Sequence, residues 1–381
     1  MNNKKTKLFD VSWFGRNFFA TSFFIFIFEL LSFVNHFLLT HGITTNTFVI
    51  VLLAFLSLIV FKKPEISALI ALAELIIGSQ GHSFDLILSG QTISLRMILF
   101  ALVLLVFCTR NLKDKTSYFL LHIKKNKLLL LLALFCFWGF VMALYQKYNF
   151  ETIFNDLNAW LYWLYLIPFI YYFREKRYFA IIWPVLAAAS SFVALKSLFY
   201  LFVFSHKLNT LQLYLYDWGR DTRWGEFTLA GGGLYRIFAQ AQIYSLITVC
   251  IFLGYLFFKG RLGYEIKSNR WLIVPLSLGL ATIILSLSRS FWIGLLSATI
   301  GALILILFYF KYRLRDTAAI FSRFSIYSLV SLALLFLVIF FPLPERTAFN
   351  PSQALNARLE LQDQAGASRW NQIPSLIKAI S

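Results

Sequence analysis

Long apolar runs recur along the whole chain, and they constrain its fold more than any other feature. One example is LLLLLALFCFWGFVMAL, which ends just before Tyr145. A bilayer core of about 30 Å needs roughly 20 apolar residues for each helical crossing. These runs lack the strict alternation of a membrane β-barrel strand. The sequence therefore predicts an all-α, polytopic transmembrane bundle.

The same pattern predicts about eleven crossing helices in one integral membrane domain over residues 1–381. The predicted spans are 18–39, 46–61, 65–79, 93–109, 127–145, 156–173, 178–204, 235–258, 271–288, 290–310 and 324–341. The first run is too long for a signal-peptide core and has no small-residue cleavage site, so it is predicted to be a retained helix.

Basic residues set the predicted orientation. Only 14% of the residues are charged, yet the net charge is +18. The basic clusters lie on alternate connections, as cytoplasmic loops do. The N-terminus is therefore predicted inside and the C-terminus outside, with two long external segments, 205–234 and 342–381. Because the clusters lie between apolar spans and no nucleic-acid-binding motif accompanies them, we expect no nucleic-acid partner.

The sequence predicts neither a metal site nor a disulfide framework. The three cysteines, Cys108, Cys136 and Cys250, fall in or beside predicted spans, where they are typical apolar fillers. The five histidines are scattered without the spacing of metal ligands. We therefore expect a metal-independent protein without a cofactor.

Arginine dominates the cations that are predicted to lie outside. Because guanidinium groups match phosphate and carboxylate oxygens in a bidentate manner, this bias favours an external anion site. The alternative is that these arginines pair with external acids such as Asp217, Asp221 or Glu226, or reach lipid phosphates. The arginines are Arg96, Arg220, Arg223, Arg236, Arg289, Arg346, Arg358 and Arg369.

Two of these arginines are the strongest candidates for holding a diphosphate. Arg236 in YRIFAQAQIYSLI and Arg289 in SLSRSFWIGLL are each predicted to open a helix, where free N–H groups add to the attraction for an anion. Ser288 and Ser290 flank Arg289, and they are predicted either to cap the helix or to bind the same phosphate.

Ionisable residues also occur inside predicted spans. Glu74 and Glu29 are embedded acids, which can form proton or metal sites. A structural pairing of Glu74 with Arg96 is an equally good interpretation. Lys196 has no evident partner in the sequence.

Several segments resemble the O-antigen ligase and O-antigen polymerase superfamily of bacterial envelope glycosyltransferases. The segments are YRIFAQAQIY, LSLSRSFWIGLL, AELIIGSQGHSFDLILSGQTISLRMILF and ASRWNQIPSLIKAI, in the family's order. The resemblance implies a C-type fold in the inner membrane that faces the periplasm or cell exterior. It also implies a donor saccharide linked to undecaprenyl diphosphate and a lipid or glycan acceptor.

By this resemblance Arg236 and Arg289 hold the lipid diphosphate, with Arg220 or Arg223 as a further ligand and with Gln240 and Arg369 in support. The family also carries a later histidine as the base, and no histidine follows His206 here. No catalytic base is therefore assigned. The expected explanations are truncation, a completing partner or lost activity. A transporter or flippase of lipid-linked glycans and a structural membrane protein are the alternative classes.

Overall fold

The computed structural model describes residues 15–43, 46–88, 91–110, 127–230, 233–258, 272–309 and 314–345, together with residues 350, 352–353, 374 and 377. Most of these residues are helical, which confirms the all-α class in its main part. Two short antiparallel hairpins, which the sequence analysis did not predict, are added to the helices.

The described elements are numbered in chain order. The helices are α1 (Arg16–Thr40), α2 (Asn46–Lys62), α3 (Pro64–Ile77), α4 (Leu95–Thr109), α5 (Lys127–Tyr145), α6 (Phe150–Leu161), α7 (Leu166–Tyr172), α8 (Lys176–Ser205), α9 (Asn209–Asp221), α10 (Gln242–Phe258), α11 (Ile273–Leu285), α12 (Arg289–Ile304) and α13 (Leu314–Phe340). The strands are β1 (Asp85–Leu88), β2 (Gln91–Ser94), β3 (Gly225–Ala230) and β4 (Leu234–Ala239).

Five helices in the described part of the chain are long and apolar enough to cross a membrane. They are Arg16–Thr40, Lys127–Tyr145, Ala180–Ser205, Arg289–Phe308 and Ala318–Phe340. Four shorter apolar helices accompany them: Asn46–Lys62, Leu95–Thr109, Gln242–Leu256 and Ile273–Leu285. This composition supports a membrane protein that is built from apolar helices.

Helix α8 lies at the centre of the bundle. It packs against α1, α3, α10, α11 and α13. The run from Ala187 to Ser191 is buried throughout, and small side chains of this kind allow neighbouring helices to approach closely. Because α8 is enclosed on most sides, it provides the framework against which α9 and β4 also pack.

Two predicted spans have a different structure. The span 156–173 is interrupted, since α6 ends at Leu161 and a 3₁₀ turn, Tyr162–Tyr165, precedes α7. The span 235–258 begins with strand β4, and its helix starts only at Gln242. The predicted external segment 205–234 is not an irregular loop, because it contains α9 and most of the hairpin β3–β4.

Candidate functional site

Arg236, one of the two arginines predicted to bind diphosphate, contacts the turn between α11 and α12 that leads into the other, Arg289. Arg236 lies in β4 opposite Thr228, and its Nε donates to the backbone oxygen of Ser286 at 2.9 Å. Ser286 precedes Arg289 by three residues, and Arg289 is the first residue of α12. We call residues 286–290 together with Arg236 the arginine turn.

Arg236 does not open a helix, so that prediction was wrong. In β4, Ile237 and Ala239 are fully buried, whereas Arg236 and Phe238 are partly exposed. Burial at every second residue is the pattern of a strand. The sequence concealed it because the short strand leads directly into the apolar helix that begins at Gln242, and composition alone does not separate the two.

Arg289 does open a helix, as predicted. The turn before it contains Leu287 with a φ of 48°, and Ser288 stands at the cap position with extended backbone. The Ser288 side chain makes no capping hydrogen bond; its Oγ lies 2.9 Å from the Oγ of Ser290. The N–H groups of Phe291 and Trp292 donate to the Ser288 backbone oxygen, each at 3.1 Å, and the N-terminal end of a helix such as α12 attracts anions.

Aromatic contacts fasten the hairpin to α12. The rings of Phe238 and Phe291 have centroids 5.9 Å apart. The guanidinium carbon of Arg236 lies 4.6 Å from the centre of the Phe238 ring. The position of Arg236 is thus set by one hydrogen bond, one ring face and the pairing of β3 with β4.

The other predicted ligands lie elsewhere or outside the described residues. Arg220, in the last turn of α9, and Arg223, in the connection between α9 and β3, are both exposed. Arg223 is five residues from Thr228, or about 16 Å along an extended strand. Gln240 is exposed beside β4. Arg346, Arg358 and Arg369 lie outside the described residues.

A neighbouring glutamine, which the sequence analysis did not select, stabilises this corner. Gln242 is fully buried, and its Oε1 accepts from the Ala239 N–H at 3.2 Å. Its Nε2 donates to the Ile237 oxygen and to Ser197 Oγ, each at 3.1 Å. The side chain therefore joins β4 to both α10 and α8. The sequence feature that could have indicated this role is the position of Gln242 at the start of an apolar helix.

Glu74 and Arg96 form a buried ion pair, which confirms the structural interpretation. Arg96 Nε lies 2.9 and 3.1 Å from the two carboxylate oxygens of Glu74. Its other nitrogens donate to the backbone oxygens of Ser79 and Glu74. Since this guanidinium is fully engaged, Arg96 no longer belongs among candidates for an external anion site.

Lys196 also has a partner, contrary to expectation. Its Nζ donates to Glu29 Oε2 at 2.7 Å and lies 4.0 Å from the Trp218 ring and 4.5 Å from the Trp224 ring. Each of these residues is less than 10% exposed. The sequence analysis missed the tryptophans because they belong to the segment that was assigned to an external loop.

The described histidines have polar partners of ordinary structural kinds. His82 lies 3.1 Å from Asp85, and His36 lies 3.8 Å from Asp221. Both ring nitrogens of buried His206 face backbone oxygens, of Phe202 and Phe341. In the part of the chain that the structure describes, no group of three or more His, Cys, Asp and Glu residues could hold a metal ion.

Comparisons with protein-family models, with curated proteins and with solved structures find no significant match to this chain. The resemblance to the O-antigen ligase and polymerase superfamily therefore depends on the four quoted segments. Two of them contain Arg236 and Arg289, and Arg236 contacts the backbone of Ser286, three residues before Arg289.

Proposed function

We propose that this protein transfers a glycan from an undecaprenyl-diphosphate-linked donor to an acceptor hydroxyl at the external face of the cytoplasmic membrane. The observation that carries the proposal is the arginine turn, where Arg236 binds the backbone of Ser286 just before Arg289 opens α12. This contact joins the strand of Arg236 to the turn before α12 and supports an anion site that the two arginines share.

This arrangement suits a diphosphate leaving group. In the transfer, the acceptor oxygen bonds to the anomeric carbon, and the bond from that carbon to the phosphate oxygen breaks. The electron pair leaves with undecaprenyl diphosphate, and the hydroxyl proton passes to water or to the diphosphate. Fixed guanidinium and N–H donors stabilise the departing charge without a metal. The acceptor, a lipid or a growing glycan, distinguishes ligase from polymerase.

The proposal includes a topology. The N-terminus lies in the cytoplasm, about eleven spans cross the membrane, and the arginine turn and the C-terminus face outward. Arg323, an exposed residue of α13, then lies at the cytoplasmic face. It provides a matched control, because it is an arginine on a crossing helix at the opposite side of the membrane.

The test uses the purified protein in proteoliposomes. Undecaprenyl diphosphate is the binding probe, and release of undecaprenyl diphosphate from a glycan-loaded donor reports transfer. We expect Arg289→Gln and Arg236→Gln each to reduce transfer by about 10²- to 10³-fold, as loss of one preorganised donor does in other enzymes. Arg323→Gln should leave binding and transfer unchanged. Equal binding by the Arg289→Gln variant and the wild type would remove the site.

A flippase of lipid-linked glycans is the second candidate, and the buried charge of Lys196 and Glu29 within the helical bundle favours it. A dithionite-quenching assay with fluorescent lipid-linked glycan separates the two functions. Movement of the donor between leaflets without glycan release supports the flippase. Donor binding without movement or release identifies an inactive homologue.

A further inference from the structure

The segment from α9 to β4, which includes Arg236, packs against one face of α8. Lys196, Tyr200 and Phe204 follow one another at four-residue intervals, so their side chains lie on the same side of the helix. Phe204 contacts Phe227 of β3 and Tyr235 of β4, with ring centroids 5.3 and 5.2 Å apart. This face of α8 therefore determines where the segment from α9 to β4 lies.

Tyr200 forms the middle of the contact and packs closely. Its ring stacks on Phe227 at 4.6 Å and on Trp224 at 5.1 Å, and its hydroxyl donates to the Leu215 oxygen at 3.0 Å. A Cβ atom at Gly219 would lie only 2.6 Å from Phe227. The same Cβ atom would lie 2.9 Å from the Tyr200 hydroxyl, so Gly219 allows α9 to approach both β3 and α8 this closely.

Lys196 adds a directional interaction to this packing. An ammonium group has three N–H donors. Here it has three partners: Glu29 Oε2 and the faces of Trp218 and Trp224. Trp218 in turn donates from Nε1 to Ser32 Oγ at 3.2 Å, and Ser32 donates to the Ser83 oxygen. The lysine therefore lies where α1, α8 and α9 meet.

A buried ion pair seldom stabilises a fold more than apolar side chains of the same size would. Its advantage is that it favours one arrangement of its partners over similar ones. The ring faces of Trp218 and Trp224 attract a cation, whereas a hydrocarbon chain at position 196 would pack against many ring orientations equally well. Trp224 directly precedes β3, and β3 pairs with the strand of Arg236.

We propose that Lys196 is a positioning residue: through Trp218 and Trp224 it fixes the segment from α9 to β4 and thereby holds Arg236 at the arginine turn. The contacts of Lys196 carry this inference, and only its consequence for the diphosphate rests on the proposed function.

The experiment measures thiol labelling in membranes. Single cysteines are placed at Thr222 and at Ile237, both buried residues of the segment, in a background with Cys108, Cys136 and Cys250 changed to alanine. Lys196→Met should raise the maleimide labelling rate at both positions at least about tenfold, because local opening exposes them. Lys196→Arg should restore the rate to within about threefold, because a guanidinium also stacks on aromatic faces.

Val103→Ala is the matched control, since it creates a cavity in α4, in a different cluster of the core. If the introduced cysteines are labelled no faster in the Lys196→Met variant than in the Val103→Ala control, the proposal is wrong. Should Lys196→Met fail to fold, the double variant Glu29→Gln/Lys196→Met, which leaves no unpaired buried charge, takes its place. Its labelling rates decide by the same comparison.

A second measurement connects the segment to the site. Lys196→Met should weaken binding of undecaprenyl diphosphate about tenfold, and Lys196→Arg should retain it. Unchanged binding by the Met variant would overturn the link to Arg236. If the wild-type protein does not bind this probe, the proposed function fails, whereas the labelling rates still decide whether Lys196 positions the segment.

Discussion

Two ion pairs are buried in the described part of the chain, and they differ in how many of their polar atoms have hydrogen-bond partners. In the pair of Arg96 and Glu74, the guanidinium reaches both carboxylate oxygens and two backbone oxygens. In the pair of Lys196 and Glu29, one carboxylate oxygen accepts from the ammonium, while Oε1 of Glu29 is buried without a hydrogen-bond partner among the described residues.

The difference follows from the two cations. Arginine stays charged in a protein, so a buried guanidinium needs a complete set of acceptors. Arg96 finds them in the Glu74 carboxylate and in the backbone oxygens of Glu74 and of Ser79, which follows α3. A buried lysine can lose its proton. Its ammonium group can also direct its N–H donors at aromatic ring faces in place of oxygen atoms. The first pair therefore joins α3 to α4, and the second joins α1 to α8 beside the rings of Trp218 and Trp224.

Breaking the ion pair of Arg96 and Glu74 should have the largest effect on the free energy of unfolding. Arg96→Met leaves the Glu74 carboxylate and the Ser79 oxygen buried without donors. We expect the free energy of unfolding to fall by about 3 to 5 kcal/mol, as is typical when one partner of a buried pair is removed. Chemical denaturation in detergent measures it, with Arg323→Met as the exposed control. A loss below 1 kcal/mol would show that the pair is dispensable.

The glycine beside this pair offers a smaller perturbation. Gly81 has a φ of 89°, and a Cβ atom there would lie 2.7 Å from Arg96 Nε. Gly81→Ala should therefore lower the free energy of unfolding by about 2 to 3 kcal/mol through backbone strain and displacement of the guanidinium. Gly139→Ala is the control, since nothing lies within 4 Å of a Cβ there. That change, within α5, should stabilise the protein slightly.

The acids of the two pairs can be compared directly. Glu29→Gln should lower the free energy of unfolding by only about 1 to 2 kcal/mol, because Lys196 keeps an amide oxygen and two ring faces as partners. Glu74→Gln should cost clearly more, since Arg96 remains charged. The same denaturation experiment measures both variants. Equal losses would mean that the nature of the cation does not govern these sites.

The sequence predicted the helices better than it predicted the segment that carries the site. Recurrent apolar runs identified α1, α5 and α8 to within a few residues. A hydropathy pattern reports how polar a segment is, however, and not whether it folds back into the bundle. The segment 205–234 is polar enough for an external loop, yet Trp218 and Trp224 reach Lys196 inside the bundle.

The sequence also predicted only part of the arginine turn and of the ion pairs. Arg289 was placed correctly because a serine and an arginine before an apolar run mark a helix start. The role of Gln242 depends on contacts with Ser197 and Ile237, from two other elements, and no local pattern encodes such contacts. The sequence suggested Arg96 as the partner of Glu74, but it suggested no partner for Lys196.

The smallest expected effect comes from a variant that separates ring packing from hydrogen bonding at the pair of Lys196 and Glu29. Trp218→Phe keeps an aromatic face for Lys196 but removes the Nε1 donor to Ser32. The free energy of unfolding should fall by about 1 kcal/mol, the usual net value of a buried hydrogen bond. Trp138→Phe, on the exposed side of α5, should change it by less than about 0.5 kcal/mol. If Trp218→Phe costs as much as Glu29→Gln or more, then the indole donor, and not the ammonium, determines how α9 sits against α1.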